Sequence, residues 1–153
     1  MPFRNELKSN FVTGTNNIIL THEFLYWSER VKQLFAIPVG SISDCSSHPD
    51  ILMSLVGHPF EWGIREASVL HDFLVRNGVV SRSMADQLFY DAMIESGVSK
   101  HKADIYYAGV RFGAAYMEDK YKTIKKKGAG YVEGTVENLV EVIDFTVDVA
   151  TGR

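Results

Sequence analysis

Between Glu61 and Met117 the apolar residues recur three times at helical spacing, and serines or glycines punctuate the repeats. Ala67, Leu70, His71 and Leu74 fall at i, i+3, i+4 and i+7, one face of a helix over about Glu61 to Asn77. Gly78 is a natural left-handed stop. Ser81 or Ser83 caps a second helix with the apolar face Ala85, Leu88, Phe89, Ala92 and Met93, which Gly97 ends. Ser99 opens a third, carried by Ala103, Tyr106, Tyr107, Val110, Ala114 and Met117. The short link between the first two helices makes them antiparallel neighbours.

The flanks read differently. Asn17 to Trp27 is rich in β-branched and aromatic residues, and Gln33 to Val39 follows after Ser28-Glu29-Arg30, so a hairpin is predicted. Pro38 lacks an amide donor and ends the second strand or puts it at an edge. Gly40 to Pro49 is a loop by composition. Beyond the Gly128-Ala129-Gly130 break, Val140, Val142, Phe145, Val147 and Val149 alternate with polar residues, with one slip at Val142-Ile143. That pattern predicts a final strand with a bulge, joining the N-terminal hairpin. The fold class is therefore α+β: three central helices with a small antiparallel sheet from both ends of the chain. A length of 153 residues fits a single domain spanning 1–153.

Composition excludes several function classes. A net charge of −3 gives no general attraction to nucleic acid. The basic run Lys120 to Lys127 reads as the solvated end of a helix, where cations suit the dipole. One cysteine, Cys45, cannot form an intramolecular disulfide. The N-terminus shows no apolar signal region, and no apolar run approaches the roughly 20 residues that span a bilayer. The expected location is the compartment of synthesis, without a signal peptide.

His71 points inward with Ala67, Leu70 and Leu74, while Asp72, rotated about 100°, reaches the rim. Asp86 lies on the second helix one turn before Phe89 and Tyr90 and two before Met93, where a carboxylate is costly unless paired. Imidazole is the obvious partner: a carboxylate on one ring nitrogen fixes the tautomer and leaves the other as a base. The same pair serves equally as a buried bond that fixes helix register. A metallophosphohydrolase would instead need His48 or His58 with Asp91 around a metal, and Asp44, Cys45 and His48 are a weak metal set.

The stretch Ala67 to Val98 resembles the two catalytic helices of the phospholipase A2 superfamily, through His71-Asp72-Phe73-Leu74-Val75-Arg76-Asn77 and Asp86-Gln87-Leu88-Phe89. Leu34 to Met117 more broadly resembles a phage- and prophage-encoded family of unknown function with three ordered motifs. These are a P-x-G-x-x-x-D-x-x-S-x-P loop (Pro38, Gly40, Asp44, Ser47, Pro49), then HD, then A-D-x-x-F (Ala85, Asp86, Phe89). The phospholipase likeness implies that His71 is a general base, Asp86 orients it and Asp72 ligates Ca²⁺, with oxygens from the Gly40–Asp44 loop. Val75 stands where that superfamily has a tyrosine, Ser41 replaces an aromatic of the phage family, and the glycine-rich, disulfide-anchored loop is absent. Two functions follow as expectations: a virion-associated protein, of the tail, or a Ca²⁺-dependent hydrolase of lipid esters. The first implies other phage structural proteins or further copies of the chain as partners, a role a β C-terminal tail would serve; the second implies a lipid or ester substrate.

Overall fold

The computed structural model describes residues 2–44, 61–113, 143–150 and 152. They fall into two compact units, the first described over 2–44 and 61–98, the second over 99–113, 143–150 and 152.

In the first unit five short strands precede two helices. They are β1 (Ser9–Phe11), β2 (Ile18–Leu20), β3 (Phe24–Ser28), β4 (Gln33–Ile37) and β5 (Ile42–Ser43), then α1 (Ile64–Arg76) and α2 (Arg82–Glu95). The predicted hairpin is β3–β4, antiparallel with Tyr26 opposite Phe35 and Phe24 opposite Ile37. Those four side chains are buried on one face, as period-2 alternation requires. Strand β4 stops at Ile37, where Pro38 removes the next donor. The long first strand expected over Asn17 to Trp27 is two strands, broken at Thr21-His22-Glu23 and placed in different sheets. Strand β2 is the centre of a second sheet, between β1 and β5. β5 lies inside the stretch that composition gives as loop, and its pairing of Ile42 with Ile19 and Ser43 with Ile18 is set by tertiary contact. Phe3 extends the core of the hairpin, stacked on Phe24 with ring centroids 4.8 Å apart.

Helices α1 and α2 agree closely with the apolar spacing. All nine apolar-face positions of the two, His71 among them, are buried. Ser81 is the cap of α2, accepting from the Met84 amide at 3.2 Å. Gly78 and Gly97 carry the positive φ of helix stops. The hairpin is fastened to α2 where Arg30, beyond β3, grips Asp91 with two nitrogens at 2.6 and 3.0 Å.

The second unit holds α3 (Lys100–Phe112), capped by Ser99, and a helix over 143–150, α4. Ala114 and Met117, like the basic run, the Gly128–Gly130 break, Val140 and Val142, lie outside the described residues. Helix α4 corrects the expected C-terminal strand over its described part. Ile143 and Val147 are buried, one helical turn apart. Asp144 and Asp148, at the same spacing, meet His101 and Lys100 of α3, the latter at 3.0 Å. An alternating sequence is compatible with either period; four partners spaced at i, i+4 decide for the helix. Residues 143–150 are thus helical, where a strand was expected. No described helix is long and apolar enough to cross a membrane.

Candidate functional site

His71 and Asp86 meet between α1 and α2. The Nε2–H of His71 donates to Asp86 Oδ1 at 2.6 Å, and both side chains are almost wholly removed from solvent. No described residue bonds Nδ1, the second ring nitrogen. Phe89 flanks the imidazole, ring centroids 5.2 Å apart at 48°. A short charge-assisted bond of this kind fixes the tautomer and presents Nδ1 as the basic atom.

Arg82 is the part of the site to which the apolar spacing does not point. Its Nε–H donates to the same Asp86 oxygen at 3.1 Å, one turn along α2. The i, i+4 spacing of Arg82 and Asp86 is the signal that could have found it.

Asp72 is half-buried rather than turned out to solvent. Its Oδ2 accepts from Ser43 Oγ at 2.6 Å and from the Asp44 amide at 3.3 Å. Arg76, one turn on, donates from Nη1 to the Ile42 carbonyl at 2.7 Å. The HD segment and the Gly40–Asp44 loop are thus brought together, through Ser43 and Asp44. Gly40 itself is engaged with β2, donating its amide to the Leu20 carbonyl at 2.9 Å. Ser43 carries no sequence signal beyond its loop composition.

Burial, then the neighbouring Asp44 charge, push the Asp72 carboxyl above the ordinary 3.8, against the lowering effects of Ser43 and Arg76. Two adjacent carboxylates in a half-buried position are donor chemistry for a hard cation. Among the described residues no third acidic, His or Cys side chain joins them. The neighbouring Ile42 carbonyl is already engaged by Arg76.

The raised carboxyl has a stability consequence. A folded-state pKa above the unfolded one means that the folded chain binds the extra proton, so stability falls as pH rises through the interval between them. Asp72→Asn keeps an oxygen for Ser43 and abolishes that loss. Its urea midpoint relative to the parent should therefore improve between pH 3.5 and pH 7. A change in the opposite direction would show that Ser43 and Arg76 outweigh burial.

Of the other expected ligands, Asp91 is among the described residues. Asp91 is committed to Arg30, which removes it from a metallophosphohydrolase centre with His71. Cys45, His48 and His58, with Ser47 and Pro49 of the loop motif, lie outside the described residues.

Comparison with known proteins gives a family and relatives without a described activity. Two proteins of Sinorhizobium fredii (strain NBRC 101917 / NGR234) are similar to this chain, each described as an uncharacterized protein. One, y4iH, is 38% identical over 72 residues, 46% of this chain and 30% of its own length. The other, y4jT, is 28% identical over 115 residues, 73% of this chain and 34% of its own. The chain thus spans about a third of the length of these relatives. No solved structure gives a significant match. The family described as "Protein of unknown function (DUF1353)" matches residues 18–110, from β2 through both helices of the His–Asp site and into α3. The chain belongs to that family.

Proposed function

We propose that the chain carries a His–Asp general-base site that hydrolyses an acyl ester of a lipid, and that it does so as a virion-associated protein of a phage tail. The observation that supports the chemistry is the 2.6 Å bond from His71 Nε2 to buried Asp86, with Nδ1 bonded to no described residue. In this reading Nδ1 takes a proton from water as the water oxygen adds to the ester carbonyl. The carbon–alkoxide bond then breaks, the leaving oxygen takes the proton back from the imidazolium, and acid and alcohol are released. Asp86 holds the ring and stabilises its charged form in between. Asp72 and Asp44 are the residues that would hold Ca²⁺, which would supply positive charge to a developing oxyanion.

The particle setting is supported by the order of the three motifs, Pro38 to Pro49, His71-Asp72, and Ala85-Asp86-Phe89. Its partners would be other structural proteins of the particle or further copies of the chain.

The test is hydrolysis of mixed phospholipid vesicles by the purified chain, with and without Ca²⁺. His71→Gln should lower the rate by about 100-fold or more. Asp72→Asn should remove any Ca²⁺ dependence while the protein stays folded. A parent protein that cleaves no vesicle and binds no Ca²⁺ by calorimetry overturns the hydrolase reading. Absence of the chain from purified particles overturns the virion reading.

A further inference from the structure

Along the edge of β3 away from β4 the N-terminal segment is laid against the hairpin. Trp27 donates its amide to the Pro2 carbonyl and Arg4 donates its own to the Leu25 carbonyl, each at 2.9 Å. Beside that contact lies a cavity of about 340 Å³, lined by Pro2, Arg4, Trp27, Glu29 and Glu95. We propose that this cavity binds a small zwitterion, one that carries an oxyanion and a primary ammonium, as a free α-amino acid does.

The lining supplies one receptor for each charge. Arg4 lies over the Trp27 ring, its guanidinium carbon 5.9 Å from the ring centroid. A guanidinium stacked in this way presents a planar fork of donors that suits a carboxylate or a phosphate. The indole beneath it is itself anchored: its Nε1–H donates to Glu29 Oε1 at 2.7 Å, and Lys32 donates to Glu29 Oε2 at 2.5 Å. Glu95 is the last residue of α2, whose final turn holds no basic residue. Its carboxylate and the negative end of the helix dipole therefore favour a cation together. A carboxylate accepts several hydrogen bonds, so Glu95 can receive an ammonium while keeping its other partners.

Simpler ligands fit less well. A plain anion drawn to Arg4 meets the carboxylates of Glu29 and Glu95, and a plain cation drawn to Glu95 meets Arg4. A ligand with both charges satisfies both. A quaternary ammonium would need an aromatic face, and the one aromatic ring of the lining already carries Arg4. A primary ammonium needs acceptor oxygens instead, and the glutamates supply them. The volume lies near the lower end of the range for ligand pockets, which suits a small free molecule.

The experiment follows the Trp27 indole N–H resonance by NMR in the full chain, with Trp62→Phe making it the single indole. The standard α-amino acids are titrated in, with O-phosphoethanolamine as a second kind of zwitterion and acetate and methylammonium as single-charge controls. At least one zwitterion should shift the resonance saturably, with a Kd of about 1 mM or lower, and each control should bind about tenfold more weakly or worse. Preference for phosphoethanolamine over every amino acid would sustain the zwitterion and assign phosphate as its oxyanion. Arg4→Gln and Glu95→Gln should each weaken the best zwitterion by about tenfold, with urea midpoints showing that both variants fold. If Glu95→Gln does not fold, the acetate control carries the ammonium half of the test. The absence of a saturable shift with any zwitterion up to about 20 mM overturns the inference. So does a control that binds as tightly as the best zwitterion, or an affinity unchanged in Arg4→Gln.

Discussion

Asp86→Asn is expected to stay folded and to lose hydrolysis by roughly 10²- to 10⁴-fold, the usual range for disabling a positioned general base. The amide has the size of the carboxylate, but its nitrogen donates where Oδ1 accepted, so it can select the wrong imidazole tautomer or face Arg82 with a second donor. Asp86→Ala separates the two roles of the residue. It leaves His71 buried without a partner and should cost on the order of 1–3 kcal/mol, read as a shift in urea midpoint. Rates for both variants belong at a temperature where each is fully folded. Stability near the parent in Asp86→Asn with lost turnover supports chemistry. A parent without hydrolysis, a stability loss in both variants and defective particle assembly would reduce the pair to a brace between α1 and α2.

The helices that carry this pair were legible because both signals for them are local. Apolar residues at i, i+3, i+4 and i+7 between a serine cap and a glycine stop leave α1 and α2 no better alternative. The inward face of α1 put His71 in the core, and a carboxylate on the inward face of α2 had to find a donor. What was not legible was set by partners distant in sequence. Strand β5 has loop composition and is a strand because β2 pairs with it and α1 holds it. Asp72 reads as a rim residue from helical angle alone, since nothing in the helix reveals that Ser43 stands opposite. Residues 143–150 alternate like a strand, yet their buried and ion-paired positions are four apart because α3 presents its partners that way.

Gly63→Ala should be among the most damaging conservative changes in the chain. Gly63 is the N-cap of α1 at φ +87°, and its amide donates to buried Glu66 at 2.7 Å. A Cβ there would stand 2.8 Å from Val98 Cγ2 and 3.0 Å from Ser96 Cβ, where the chain leaves α2. Strain at positive φ, about 1–2 kcal/mol, adds to overpacking of about 1–3 kcal/mol, for a total of about 2–5 kcal/mol. Gly78→Ala is the internal control, because its φ is also positive, at +57°, and nothing lies within 4 Å of the added carbon. Urea unfolding should therefore show Gly63→Ala losing clearly more than Gly78→Ala. Equal losses would mean that Val98 moves aside without cost.

Asp72 and Arg76, one turn apart on α1, fasten three consecutive residues, Ile42, Ser43 and Asp44, while β2 pairs with the same segment from its other edge. A stretch held on two sides behaves as a ruler. Its side chains can vary wherever they face solvent, as Ile42 does, but one residue gained or lost between Gly40 and Asp44 would slide every fastening out of step. Among members of the family, then, this segment should tolerate substitution and refuse gaps. A new member would be recognised there by the count of residues between its glycine and its aspartate, more surely than by which residues they are.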